Sequence, residues 1–156
     1  MNRDNWETPW RIFSPIHEVM GFTIDSAASE GNAKLSRYWA KDDDGLSKDW
    51  AGEVVWCNPP YLDQAYVKWI RKAAEGWYTP SCLLIPVATA TRVWHANVFG
   101  NPILFFKKRI KFLLNGVVLG SPRFDSAAVF FNLTRQQYHD LTWATHNRPD
   151  LSFLIP

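Results

Sequence analysis

The chain has only two cysteines, Cys57 and Cys82, and they sit in separate apolar runs with no CxxC spacing. A disulfide scaffold and a thiol-rich metal site are therefore not expected, and buried, reduced thiols suit a cytoplasmic protein. Its four histidines lack the spacing of metal ligands, so zinc is not expected. No apolar run approaches the ~18 residues of a membrane span, and the opening MNRDNWETP is not a signal peptide. Net charge is small as well. A net charge of +2 means that a nucleic-acid partner does not follow from the total. Internal repeats and low-complexity tracts are also missing.

What the chain does have is apolar and aromatic mass. Hydrophobic residues make up 47% of the 156 and charged residues 21%, the composition of one folded domain spanning 1–156. Nine tryptophans are many for this length; such surfaces serve core packing and base stacking alike. The densest basic cluster, Lys107-Lys108-Arg109 with Lys111, is set among aromatics in FFKKRIKF. These four are candidate phosphate contacts, and a solvated basic turn is the bland alternative.

The most informative stretch is VVWCNPPY, residues Val54 to Tyr61. An apolar run stopped by two prolines reads as a buried strand ending in a stiff corner, since proline fixes φ and lacks an N–H. Asn58, Pro59, Pro60 and Tyr61 would then offer an amide, an acceptor carbonyl and an aromatic face. That suits a flat base with an exocyclic amine: Asn58 Oδ1 and the Pro59 carbonyl accept its hydrogen bonds while Tyr61 stacks on the ring.

In Trp6-Glu7-Thr8-Pro9 a helix start is expected, with Thr8 as cap, Pro9 first in the helix, a restart at Ser14-Pro15 and a stop at Gly21. Phe22–Asp25 reads as a strand leading into the small residues Ser26-Ala27-Ala28-Ser29, where a ligand can approach the backbone closely. Asn32–Trp39 reads as weakly helical, and Asp42-Asp43-Asp44-Gly45-Leu46 as an acidic turn, either solvated or a second ligand contact on the cofactor side. Asp63 is expected to cap a helix ending near Gly76, Ser81–Val87 to be a buried strand and Thr91–Phe99 a short helix. Alternation of this kind implies parallel neighbours. Beyond them Ile103–Lys107, Arg109–Leu114 and Ala127–Leu133 read as strands of an antiparallel edge. A helix over Arg135–Thr145 capped by Thr134, then a strand over Ser152–Ile155, would complete the chain.

Taken in order, WETP, GFTIDSAAS with Asn32-Ala33, DDGL, W-A-G before VVWCNPPY, CLLIP, RIKF and SAAVFF make the chain resemble the phage-type DNA adenine methyltransferases, the small Dam-like family, over Trp6 to Phe131. The resemblance implies an α/β, Rossmann-like sheet, mostly parallel with antiparallel strands at one edge and helices on both faces. It implies S-adenosylmethionine as cofactor, S-adenosylhomocysteine as product, and methyl transfer to the exocyclic amine of an adenine flipped out of double-stranded DNA. By the same resemblance Trp6, Thr8, Pro9, Asp25, Ser26, Ala27, Asp44, Gly45 and Leu46 hold the cofactor, and Asn58 to Tyr61 are catalytic. It points to the cytoplasm of a bacterial host, to no metal and no membrane, and says nothing of oligomeric state. The chain departs from the wider methyltransferase pattern in having no glycine-rich cofactor loop, no evident acidic residue after a second strand and no separate target-recognition domain within 1–156. An amino-methyltransferase acting on cytosine or RNA, and a non-catalytic DNA-binding decoy, are the alternatives.

Overall fold

A computed structural model describes residues 5–146, residue 148 and residues 151–154, the last three by backbone alone. Six strands form the main sheet: β1 (Ile24–Asp25), β2 (Val55–Cys57), β3 (Ser81–Pro86), β4 (Ile103–Phe106), β7 (Ser126–Phe131) and β8 (Leu151–Leu154), in the order β1-β2-β3-β7-β4-β8. β1, β2 and β3 are parallel neighbours. β7 lies antiparallel between β3 and β4, and β8 is antiparallel to β4 at the edge. β4 therefore points the same way as β1–β3, so four of the six strands share one direction. That matches the expected Rossmann-like sheet, parallel on one side and antiparallel at the other edge.

The helices form two packed pairs. α1 (Trp10–Met20) lies with α3 (Arg135–His146), and α2 (Tyr66–Glu75) with a π-helical turn at Trp94–Val98. Trp56 of β2 is fully buried against Phe13 of α1 and Phe22. Its strand neighbours Val55 and Cys57 must point to the other face, because side chains alternate along a strand. Phe13, Ile16 and Met20 bury the inner stripe of α1, each contributing about 1.5–3 kcal/mol. Gly21, at φ 65°, ends that helix as its αL cap.

Several local expectations are corrected. Thr8 is not the cap of α1. Pro9 takes that position, Trp10 opens the helix, and Thr8 Oγ1 is buried without a partner. No restart occurs at Ser14; the helix runs through Pro15, which has no N–H to give the Arg11 carbonyl. Asn32–Trp39 is not helical. The Lys34 N–H is taken by Asp25 Oδ2 at 3.0 Å, and Tyr38 pairs in parallel beside Asp25, so tertiary pairing overrides weak propensity. Asp63 does not cap α2; it lies in a short 3₁₀ turn at φ 50°, and α2 begins at Tyr66. Of Arg109–Leu114 only β5 (Leu113–Leu114) is strand, paired with β6 (Val117–Val118) in a separate hairpin to which Glu7 bonds. By contrast Thr134 does cap α3, in a reciprocal box with Gln137. The last strand is Leu151–Leu154; Ile155 of the expected strand lies outside the described residues.

Candidate active site

β2 carries Asn58 to the carboxyl edge of the sheet, and there the amide is held at both ends. Nδ2 donates to the Trp6 carbonyl at 3.0 Å, and Oδ1 accepts from the Tyr61 hydroxyl at 2.8 Å. A carbonyl can only accept, which fixes which end of the amide is nitrogen. The Tyr61 hydroxyl also lies 2.8 Å from the Leu84 carbonyl. One proton serves two acceptors, so Oδ1 keeps capacity for a further donor. Burial, with the nearby Cys57 adding to it, pushes the Tyr61 phenol well above its ordinary range, and it stays protonated.

The stacking role expected of Tyr61 is not what this arrangement offers. Its ring is 7% exposed and meets Trp6, Tyr66, Phe112 and Phe124 edge-on, with centroids 5.4–6.4 Å away. Tyr61 serves the corner through its hydroxyl, because four aromatic neighbours already take up its ring. Pro59 is buried, and Pro60 is half-buried and turned to the cavity described next.

That cavity, of about 540 Å³, opens beside the corner. Ser26, Ala27, Asp44, Gly45, Leu46 and Pro60 all line it, so the small-residue loop, the acidic turn and the proline corner meet as expected. Ser26 is pinned by its N–H and hydroxyl to the Trp56 carbonyl, at 2.9 and 3.2 Å. Gly45 is required here. A Cβ on it would stand 2.2 Å from the Ser26 carbonyl oxygen and 2.9 Å from the Trp69 ring. Its own carbonyl accepts from Trp50 Nε1 at 3.0 Å. Close packing thus brings the two loops together along this wall of the cavity.

The remaining cofactor candidates stand elsewhere. Trp6 and Thr8 are buried in the core and do not reach the cavity; Pro9 lines a different groove, and Asn5 is the contribution of the amino-terminal segment. Asp25 lies directly behind Ser26, 2% exposed, with Oδ1 lacking a hydrogen-bond partner. Burial raises its carboxyl from 3.8 to about 6, against the opposing N–H groups of Lys34 and Ala27 and the Lys34 charge. Lys34 in turn ties this loop to the WETP segment, pairing with Glu7 at 2.7 Å. Glu7 and Lys34 gave no signal in the sequence, since neither sits on a periodic face. Burial pushes both thiols well above their usual range, so neither is a nucleophile.

A short extended stretch pairs beside β1 and leads into the acidic turn. Asp25 N–H donates to the Arg37 carbonyl at 3.1 Å and Trp39 N–H to the Asp25 carbonyl at 2.9 Å. This one-bridge strand beside β1 runs straight into Asp42–Asp44, and Trp39, Asp42 and Asp44 all line the cavity. A strand one bridge long leaves no alternating pattern to read.

Basic residues converge on the same edge. Lys107 and Lys108 leave β4 there, Arg123 precedes β7 and Arg148 precedes β8, all exposed. Arg109 is engaged with Asp125 at 3.0 Å, an exposed pair of modest worth. Lys111 lies farther along, on the β5 hairpin side. Arg123 and Arg148 were not foreseen, since only the sheet order brings them beside β4. Among the described residues no group of His, Cys, Asp and Glu is placed to hold a metal ion, and no helix is long and apolar enough to cross a membrane.

A Rossmann-like sheet with a cavity at its carboxyl edge and an Asn-Pro-Pro-Tyr corner beside it defines the methyltransferase fold class. Within that class the chain belongs to the DNA N-6-adenine-methyltransferase (Dam) family, whose profile matches residues 1–153. It is 34% identical over 62 residues to the DNA N-6-adenine-methyltransferase of Haemophilus phage HP1, covering 38% of this chain and 36% of that one. It is 33% identical over 61 residues to the protein of the same description from Escherichia phage T1, covering 38% and 26%. The matched stretch thus spans about a third of the first relative and a quarter of the second.

Proposed function

We propose that this protein transfers a methyl group from S-adenosylmethionine to the N6 amine of an adenine turned out of double-stranded DNA. The observation that carries the reading is the Asn58 amide, held at both ends at a proline-stiffened corner whose Pro60 also walls the cavity.

The cavity residues suit such a donor. A space of about 540 Å³ falls within the usual ~300–1,000 Å³ of small-ligand sites. Asp42 and Asp44, after the one-bridge strand, stand where an acidic residue grips ribose hydroxyls in doubly wound sheets. Trp39, Leu46 and Trp69 give flat and apolar walls for the adenine ring, and Ser26, Ala27 and Gly45 allow close approach. Asp25, one residue back, supplies a negative charge toward a positively charged ligand. When bound, the donor contributes an electrophilic methyl carbon on a sulfonium.

The chain's own work is orientation and electrostatics. Asn58 Oδ1 and the Pro59 carbonyl accept hydrogen bonds from the target amine, drawing its lone pair away from conjugation with the ring. The same acceptors offset the positive charge that grows on nitrogen as the new bond forms. Tyr61 is a positioning residue. When its proton turns to the Leu84 carbonyl, both lone pairs of Asn58 Oδ1 are free for the amine. A base inside a duplex is out of reach of such a corner, so the target nucleotide must leave the stack. Lys107, Lys108 and Arg123 then meet the phosphates, with Arg109 held back by Asp125.

The test is transfer of a radiolabelled methyl group to duplex DNA, followed by a nucleoside digest. N6-methyladenine is expected; N4-methylcytosine, or label on RNA alone, would overturn the adenine reading. Asn58→Ala should bind the donor as the parent does and lose at least about a thousandfold in turnover, several kcal/mol of orientation and charge stabilisation. Undiminished turnover would remove Asn58 from the site.

A further inference from the structure

A second groove, of about 420 Å³, lies between the start of α1 and the β5–β6 hairpin, lined by Pro9, Trp10, Arg11, Lys111, Leu113 and Val118. It shares no residue with the donor cavity. Its chemistry is uneven: two cations, one large aromatic, three apolar side chains and no carboxylate. Trp10 is 55% exposed, yet its ring is held from beneath. The Lys34 ammonium, itself buried, sits 4.2 Å from the ring centroid, and Phe13 packs on it edge-on at 5.7 Å. Lys34 and Phe13 take the inner side, so the open side faces the groove.

The opposite wall is also stiff. Asn115 and Gly116, at φ 51° and 76°, form the two-residue positive-φ turn that suits a tight hairpin. That turn leaves Val117 and Val118 standing 67% and 61% exposed. The groove adjoins the Asn58 corner through one aromatic wall. Trp6, whose carbonyl holds Asn58, stacks on Phe112 at 5.1 Å, and Phe112 lies between Lys111 and Leu113.

We propose that this groove is a second nucleotide subsite, in which one base of the DNA stacks on Trp10 while its phosphate meets Arg11 and Lys111. The proposal rests on DNA being the substrate, and it adds a place for a nucleotide other than the methylated one. A clamped indole with an open face is a base-stacking platform, and the paired cations supply the charge a nucleotide needs. An apolar protein segment would leave both cations unmatched. The α1 amino terminus, with neither a side-chain cap nor an acidic residue in its first turn, adds to the positive side.

The experiment measures binding of labelled duplex and single-stranded oligonucleotides to the full chain and to Trp10→Ala, Trp10→Phe and Arg11→Gln. Donor affinity by calorimetry and a thermal melt accompany each variant. Trp10→Ala should weaken DNA binding about tenfold or more, as loss of one stacked base does, with donor affinity unchanged and only the small drop in melting that loss of the Lys34 and Phe13 contacts brings. Trp10→Phe should keep most of the affinity. Arg11→Gln should reduce the salt slope of duplex binding by about one unit. Irradiating a strand carrying 5-iodouracil should attach it to the peptide containing Trp10. If the wild type binds and methylates DNA but Trp10→Ala binds it equally well, the subsite is wrong and the main reading stands. If the wild type binds no DNA, both fall. A loss of donor affinity in Trp10→Ala would mark the residue as structural and overturn the subsite.

Discussion

An Asp25→Asn exchange removes a charge that the fold keeps 2% exposed at the end of β1. Its carboxyl is raised from 3.8 to about 6, mainly by burial. The folded state therefore binds this proton more tightly than the unfolded state. For an acid shifted upward, the associated stability is fully present below the unfolded value and is lost as pH rises through the folded one. A gap of roughly 2 units at 1.36 kcal/mol per unit puts about 3 kcal/mol against the folded wild type at pH 7.5. The Asn variant escapes that term at every pH. It has an amide nitrogen where Oδ1 had no partner, which costs about 1–3 kcal/mol independent of pH. The stability difference between variant and wild type should therefore shift by about 3 kcal/mol in the variant's favour as pH rises from 3.8 to 7.5. Most of that change should fall between pH 4.5 and 6.5. Urea unfolding of both proteins, without donor, at half-unit pH steps reads it directly. A difference that stays flat across this window would refute the reasoning, whatever its sign. If the charge is kept for a cationic donor, the variant should also bind S-adenosylmethionine less well at pH 7.5, where calorimetry can measure it.

Two further substitutions separate the parts of the site. Gly45→Ala places a methyl group 2.2 Å from the Ser26 carbonyl oxygen, so the backbone must shift; a loss of about 1–3 kcal/mol in stability and of tenfold or more in donor affinity is expected, and unchanged affinity would show that these loops do not wall the donor site. Tyr61→Phe removes only the hydroxyl shared by Asn58 and Leu84, costing about 0.5–1.5 kcal/mol in a melt. Its turnover should fall at least tenfold with donor affinity intact, whereas a ring acting only as a stacking surface would lose nothing.

The features legible in the sequence were those written locally. Two prolines after an apolar run announced the corner at Asn58, and Thr134 announced the start of α3. Ser26 and Ala27 of the small-residue run and Asp44, Gly45 and Leu46 of the acidic turn line one cavity. What stayed hidden depends on partners far along the chain. Tyr61 faces inward because Phe112 and Phe124 close over it. Tyr38 makes its isolated bridge only because β1 offers an edge, which the weakly helical pattern of Asn32–Trp39 does not encode. Arg123 and Arg148 reach the basic edge through strand order, which no periodicity encodes. Thr8 looked like a cap because Thr-Pro is a common helix opening, but Pro9 took the capping position and left its hydroxyl buried.

The insertion of β7 between β3 and β4 bears on how the chain comes off the ribosome. Until Phe131 has been made, two hydrophobic strands sit with bare edges, and both point the same way. They can then zip to each other and shut out the rightful occupant, a wrong sheet that later synthesis cannot easily undo. Chains halted before Ser126 should accumulate as aggregate rather than as a smaller working protein.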